Sequence, residues 1–198
     1  TYAMKLIADT AMSLRDEYPN IRFHLHSGDI EDICERLDKG LIDFGVVIDP
    51  ADLTKYEHLR LPVTDKWGIV MRKDNPLAEK EGISPEDLKG IPLIHSRHAF
   101  SRGHVVDWFG GTDGLNIAAT FNLLYNAALM AKAGVGVVLS IDKLCNTSEG
   151  SELCFRPLSP PLESRLNVIW KKYQVFSSAA QLFLSRLRER IAAFPEKA

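Results

Sequence analysis

The chain has 198 residues, 45% of them hydrophobic and 25% charged, the composition of a globular protein with room for one large domain or two lobes of about 100 residues each. Lysine and arginine number 24 against 26 aspartates and glutamates, a net charge of −2 with no basic run longer than Lys171-Lys172, which argues against a nucleic-acid or membrane surface spread over the whole chain. The three cysteines, Cys34, Cys145 and Cys154, are odd in number and lack disulfide or zinc spacing, as expected of reduced thiols in a cytoplasmic protein.

Met4, Ile7, Ala8, Ala11, Leu14 and Tyr18 recur at helical spacing, and Pro19 stops the pattern because a residue before proline avoids the α region. Ile21, Phe23 and Leu25 then alternate with Arg22, His24 and His26, which predicts a strand. Ser27-Gly28-Asp29 turns the chain, and Asp29 caps a helix carrying Ile30, Ile33, Cys34 and Leu37 that Gly40 ends. The apolar run Phe44 to Ile48 predicts a buried strand. Beyond Asp49-Pro50 come a short edge strand, Leu59 to Leu61, and another strand from Trp67 to Arg72, closed by Asp74-Asn75-Pro76. Ser84-Pro85-Glu86-Asp87 starts one helical turn.

The alternation then restarts. Leu93-Ile94 forms a strand, a helix follows near Ser101 to Phe109, and after Gly110-Gly111 come a strand, Ile117 to Phe121, and a helix, Leu123 to Ala133. Val135 to Leu139 is the next buried strand and Leu166 to Trp170 the last. The closing helix buries Ala180, Phe183, Leu187, Ile191 and Phe194, with Ser178 and Gln181 as its capping box. Such order predicts βαβ units, mostly parallel sheets and helices on both faces. Residues 1–68 with 169–198 should form one lobe, lacking its first strand, and 69–168 the other.

Several landmarks together resemble the effector-binding domain of LysR-type transcriptional regulators. They are Glu17-Tyr18-Pro19 before Ile21, the block Gly40-Leu41-Ile42-Asp43-Phe44-Gly45-Val46-Val47, Asp74-Asn75-Pro76-Leu77-Ala78 with Asp87 to Ile94, Ala133 to Leu139, and Val168-Ile169-Trp170-Lys171-Lys172. The resemblance implies an α/β fold of two Rossmann-like lobes with a ligand cleft between them, type 2 periplasmic-binding-protein-like. It also implies a small-molecule effector, a homodimer or homotetramer, and DNA contact only through an N-terminal winged helix-turn-helix domain absent from this chain. The dimer should join the first helix and the strand after it to segments near Ser101 to Phe109 and Ile117 to Phe121 of the other copy. No membrane partner and no cofactor are expected.

Open parallel sheets bind ligands at the carboxyl ends of their strands. That rule collects Thr1, Tyr2, Ser27, Asp49, Ser96, Arg97, Phe121 and Asn122 as ligand-binding candidates. Each has a competing structural role. Ser96 and Asn122 either cap helices or contact the ligand; Arg97 is either solvated or pairs a carboxylate; Asp49 either shapes its turn or binds. For Thr1, the resemblance implies a position where a hydroxyl meets the effector. His95 with His98, and His24 with His26, lack a third ligand at recognisable spacing, so no metal is expected. Gly134-x-Gly136 follows a helix and lacks a third glycine, which makes it a tight helix-to-strand turn rather than a dinucleotide loop. No nucleophile, zinc or phosphate-loop motif occurs, so catalysis is not expected. The competing function is the solute-binding protein of a transporter, which shares the fold.

Overall fold

The structure, a computed structural model, describes residues 1–49, 51–100 and 103–194. In chain order its elements are α1 (Met4–Glu17), α2 (Ile30–Asp38), β1 (Gly45–Ile48), β2 (Tyr56–Arg72), β3 (Pro92–Ser96), α3 (Gly103–Phe109), β4 (Asn116–Phe121), α4 (Leu124–Lys132), β5 (Val137–Ile141), β6 (Leu153–Pro157), β7 (Glu163–Lys171) and α5 (Ser178–Ala192). Single 3-10 turns stand at Pro76–Glu79 and Glu86–Leu88. The chain divides into a central unit, Thr1–Tyr2 with Asp65–Ser164, and a terminal unit, Ala3–Thr64 with Arg165 onward. The changeovers fall inside β2 and inside β7, a few residues ahead of the 68/69 and 168/169 boundaries expected from the sequence.

In the terminal unit α1 packs on α5 with Leu6, Thr10 and Leu14 as its buried positions; of the stripe expected from the sequence only Leu14 is buried, and Ala8 and Tyr18 are exposed. Leu6 and Leu14 are buried with Phe183, Leu184 and Leu187, and with Leu166, Val168 and Trp170 of β7. Burial of each such side chain contributes roughly 1.5–3 kcal/mol relative to exposure. Arg186 closes the pair of helices with an ion pair to Glu17 at 2.8 Å. On α2, the Asp29 carboxylate accepts the Asp32 N–H at 3.1 Å, as an N-cap should. Ile33 and Leu37 of that helix pack on Val47, Tyr56 and Ile169. β1 runs antiparallel to β7, from Gly45 opposite Ile169 to Ile48 opposite Leu166.

Three expectations fail here, each for a physical reason. Residues 21–25 form no strand: alternation gives a segment two faces, but a strand also needs a ladder partner, and none of the described strands pairs with it. Phe23 instead sets its ring against Phe183 at 6.1 Å, while Leu25 is 81% exposed. The separate strands at 59–61 and 67–72 are one continuous β2, since Pro62 is tolerated where its missing N–H is not needed by a ladder. The cap of α5 is Ser177, whose hydroxyl accepts from Ala180 N at 3.2 Å; Gln181 donates to the Phe176 carbonyl, so the capping box on Ser178 does not form.

In the central unit, β3 lies between β4 and β5 and is parallel to both, with Ser96 opposite Phe121 and His95 opposite Leu139. β2 joins the other side of β5 antiparallel, Trp67 opposite Ile141, and β6 pairs antiparallel with β2. The sheet pairing is therefore more mixed than the mostly parallel arrangement expected, because β2, β6, β1 and β7 are not linked to their partners by crossover helices. β6 itself was not expected; Leu-Cys-Phe-Arg-Pro shows neither alternation nor a long apolar run. On one face α4 buries Leu124, Ala127, Ala128 and Ala131 against Val70, Ile94, Val138 and Leu153. The turn into β5 is the expected one: Gly134 has φ +81°, and a side-chain carbon on Gly136 would stand 2.4 Å from the Pro92 carbonyl oxygen.

Candidate functional site

The parallel trio β4, β3 and β5 brings three carboxyl ends to one edge of the central unit. Phe121 and Asn122 stand at the end of β4, Ser96 and Arg97 at the end of β3, and Asp142 and Lys143 just past β5. Arg97 N donates to the Phe121 carbonyl at 3.1 Å, which ties the first two ends together. Asn122 is exposed and stands one residue before the cap position of α4, which is Leu123, a residue that gives that helix start no side-chain cap. Its first backbone N–H groups thus carry the partial positive charge of a helix N-terminus without a local acceptor side chain. Arg97 is exposed, and Ser96 and Phe121 are half-buried.

Thr1 and Tyr2 belong to the same unit. Thr1 is hydrogen-bonded to the carboxyl group of Asp65, and the Tyr2 ring lies under the Lys143 ammonium at 4.7 Å. Asp65, Asp142 and Lys143 were not foreseen. The rule that found Ser96 and Asn122 extends to Lys143, which also follows a predicted strand; Asp65 is brought in by β2, whose pairing with β5 no local pattern reveals. Lys143 adopts φ +63°, uncommon for a lysine, with its N–H held by the Asp142 carboxylate at 2.8 Å. Asp65 is 5% exposed, and burial, with Asp142 nearby, holds its carboxyl above the usual aspartate range while the Thr1 hydrogen bond, the terminal ammonium and then Lys143 act the other way.

Ser27 and Asp49 lie in the terminal unit. Ser27 is exposed, in the segment before α2. Asp49 is engaged: its carboxylate accepts from the Asn167 side chain at 2.7 Å, and its N–H donates to the Arg165 carbonyl at 2.8 Å. It pins the end of β1 to β7. Pro50 and Ser101, parts of two sequence expectations, lie outside the described residues.

His95 is a titratable group beside Ser96. Its Nδ1–H donates to the Ser96 carbonyl at 2.7 Å rather than meeting the hydroxyl, and its ring packs on Phe100 at 4.3 Å. Burial pulls its pKa down, so it is neutral at pH 7. The edge offers donors and charges for holding a small molecule.

Residues 1–192 match the family described as LysR substrate binding domain. The chain belongs to that family. This LysR substrate-binding domain has the type 2 periplasmic-binding-protein-like fold of its relatives. It is similar to the HTH-type transcriptional regulator YvbU of Bacillus subtilis, 27% identical over 193 residues that make up 96% of this chain and 63% of that protein. It is also similar to the HTH-type transcriptional activator CmpR of Synechocystis, 26% identical over 87% of this chain and 58% of the relative. The chain thus spans about three fifths of the length of such relatives. Among solved structures, the regulatory domain of CcmR from Synechocystis, described in complex with 2-PG, superposes with a TM-score of 0.79 at 20% identity, covering 98% of this chain and 95% of that one. HinK, a LysR family regulator from Pseudomonas aeruginosa, gives 0.75 at 22% identity over 93% of this chain and 65% of that one.

Proposed function

We propose that this LysR substrate-binding domain senses a small metabolite carrying a carboxylate or another anionic group, bound without catalysis at the carboxyl edge of β4, β3 and β5. One observation carries the proposal: Ser96, Arg97, Asn122 and the uncapped start of α4 converge there. A helix start of roughly half a positive charge beside a hydroxyl and a guanidinium favours an anion. In the longer protein, effector binding would modulate DNA binding or transcription through a winged helix-turn-helix domain. That its curated relatives are named as transcriptional regulators supports this over a transporter's solute-binding protein.

The same reading includes a homodimer. β4 has β3 on one side and exposes Ile117, and the extended segment at 21–25 exposes Phe23 and Leu25. Among the described residues each lacks a further partner strand of the kind a second copy supplies. Sedimentation at micromolar concentration should give a dimer; a monomer removes this part of the proposal.

For the site, carboxylates are screened by thermal shift and the best is titrated calorimetrically. Ser96→Ala and Asn122→Ala should each weaken it by about tenfold to a hundredfold, the equivalent of one lost hydrogen bond to a charged group. Unchanged affinity in both, or a best ligand that is large and apolar, overturns the assignment.

A further inference from the structure

Charge along the edge of the central unit is sorted by strand. In the order β4, β3, β5, β2 it presents Asn122 with the start of α4, then Ser96 with Arg97, then Asp142 with Lys143, and finally Asp65, beyond Trp67 where β2 faces Ile141. Donors and a guanidinium occupy one end and two carboxylates the other. At the acidic end the structure already gathers donors and cations around Asp65: Thr1 hydrogen-bonds its carboxyl and, with the terminal ammonium and then Lys143, favours its ionised form, while Lys143 lies over the Tyr2 ring at 4.7 Å. Tyr2 and Lys143 are both exposed. Asp65 is 5% exposed, and while Thr1 hydrogen-bonds its carboxyl, its Oδ2 has no hydrogen-bond partner among the described residues. A buried carboxylate oxygen left unpaired is costly, and a bound donor would relieve that cost.

We infer that the effector is a short amino acid, its carboxylate held at Ser96, Asn122 and the start of α4 and its ammonium at the unpartnered Oδ2 of Asp65, where the positive charge of Lys143 competes with it. This rests on the effector reading above and narrows it. Spacing sets the size. Neighbouring strands stand roughly 4.8 Å apart, so β3 and β2 are about 10 Å apart across β5. Subtracting about 3 Å for a hydrogen bond at each end leaves about 4 Å between the two charged groups of the ligand, the span of an α- to γ-amino acid. A dicarboxylate of the same length would set its second charge against Asp65 and Asp142.

The test titrates the chain calorimetrically with glycine, β-alanine and γ-aminobutyrate against propionate and succinate. The best amino acid should bind about tenfold or more tighter than propionate. Asp65→Asn should abolish that preference while leaving propionate binding within about twofold, and Lys143→Asn, a residue tolerant of left-handed backbone, should tighten the amino acid by removing its competitor. A merely structural role for Lys143 predicts no tightening. Preference for succinate or propionate, equal loss of both ligand types in Asp65→Asn, or weaker amino-acid binding in Lys143→Asn overturns the inference. If propionate binds and Ser96→Ala weakens it while no amino acid does better, the anionic site stands and this inference falls; if none of the five binds, both fall.

Discussion

The indole N–H of Trp67 donates to the Ser164 hydroxyl at 2.8 Å, and His104 Nε2 meets the same hydroxyl at 3.0 Å. Trp67 and Ser164 are 6% and 2% exposed and flank the points where the chain enters and leaves the central unit. Ser164→Ala leaves a buried indole N–H without this acceptor, which costs about 1–3 kcal/mol in urea unfolding. Trp67→Phe also costs stability, through lost ring volume. The double variant should lose less than the sum of the two, because the orphaned donor is gone; strict additivity would show that the bond contributes nothing.

Asp49 stands in the terminal unit with its carboxylate on the side chain of Asn167, a residue 1% exposed. Asp49→Ala strands that buried amide, so the expected loss is about 1–3 kcal/mol of stability, with effector affinity of the folded variant unchanged within about twofold. Differential scanning calorimetry and a ligand titration read the two quantities separately. A large affinity loss with an unchanged melting temperature would place Asp49 at the effector instead.

Gly136 is held by a close approach rather than by its dihedrals, since its φ is not in the left-handed region whereas that of Gly134 is. Gly136→Ala pushes a methyl group to 2.4 Å from the Pro92 carbonyl and forces β5 away from the start of β3. Overpacking of this kind costs about 1–3 kcal/mol. Gly134→Asn, which meets no atom within 4 Å and places a residue tolerant of positive φ, should cost less than Gly136→Ala; the reverse order in thermal unfolding contradicts this account.

The elements legible in the sequence were those whose burial is decided locally. The existence of α1 and α5, the Asp29 cap of α2 and the apolar runs of β1, β3 and β5 follow periodicity and capping chemistry, although α1 buries Leu6 and Thr10 with Leu14, Phe194 lies past α5 and is 39% exposed, and β5 begins two residues later than expected. What stayed hidden depends on partners distant in the chain. The alternation at 21–25 says nothing about whether a neighbouring strand exists, and β6 is a strand only because β2 offers Gly68 to Arg72 as its ladder. Ser96, Arg97, Phe121 and Asn122 could be collected because the strand-end rule needs only the order of elements. Asp65 could not: it sits inside β2 with no motif around it, and reaches the edge through the pairing of Trp67 with Ile141.

Asp65 gives the last expected outcome, a pH dependence of one residue's contribution. Burial holds its carboxyl above the ordinary aspartate value of 3.8 and Asp142 reinforces this, while the Thr1 hydrogen bond, the terminal ammonium and, less, Lys143 oppose it. Between 3.8 and the raised native value the folded chain binds more protons at this site than the unfolded chain. The contribution of Asp65 to stability is therefore fully present below the unfolded value and is lost as pH rises through the native one. Asp32, Asp74 and Asp87 are held low by their cationic and hydrogen-bonding partners and act in the opposite sense, so the total stability does not isolate the effect. The difference between the parent and Asp65→Asn does. Because asparagine carries no charge at any pH, the variant should gain on the parent as pH rises from below the ordinary aspartate value through the raised native one and hold a constant offset above that, measured by urea unfolding at each pH. A difference that stays flat through the acidic range would mean that burial does not penalise the Asp65 charge.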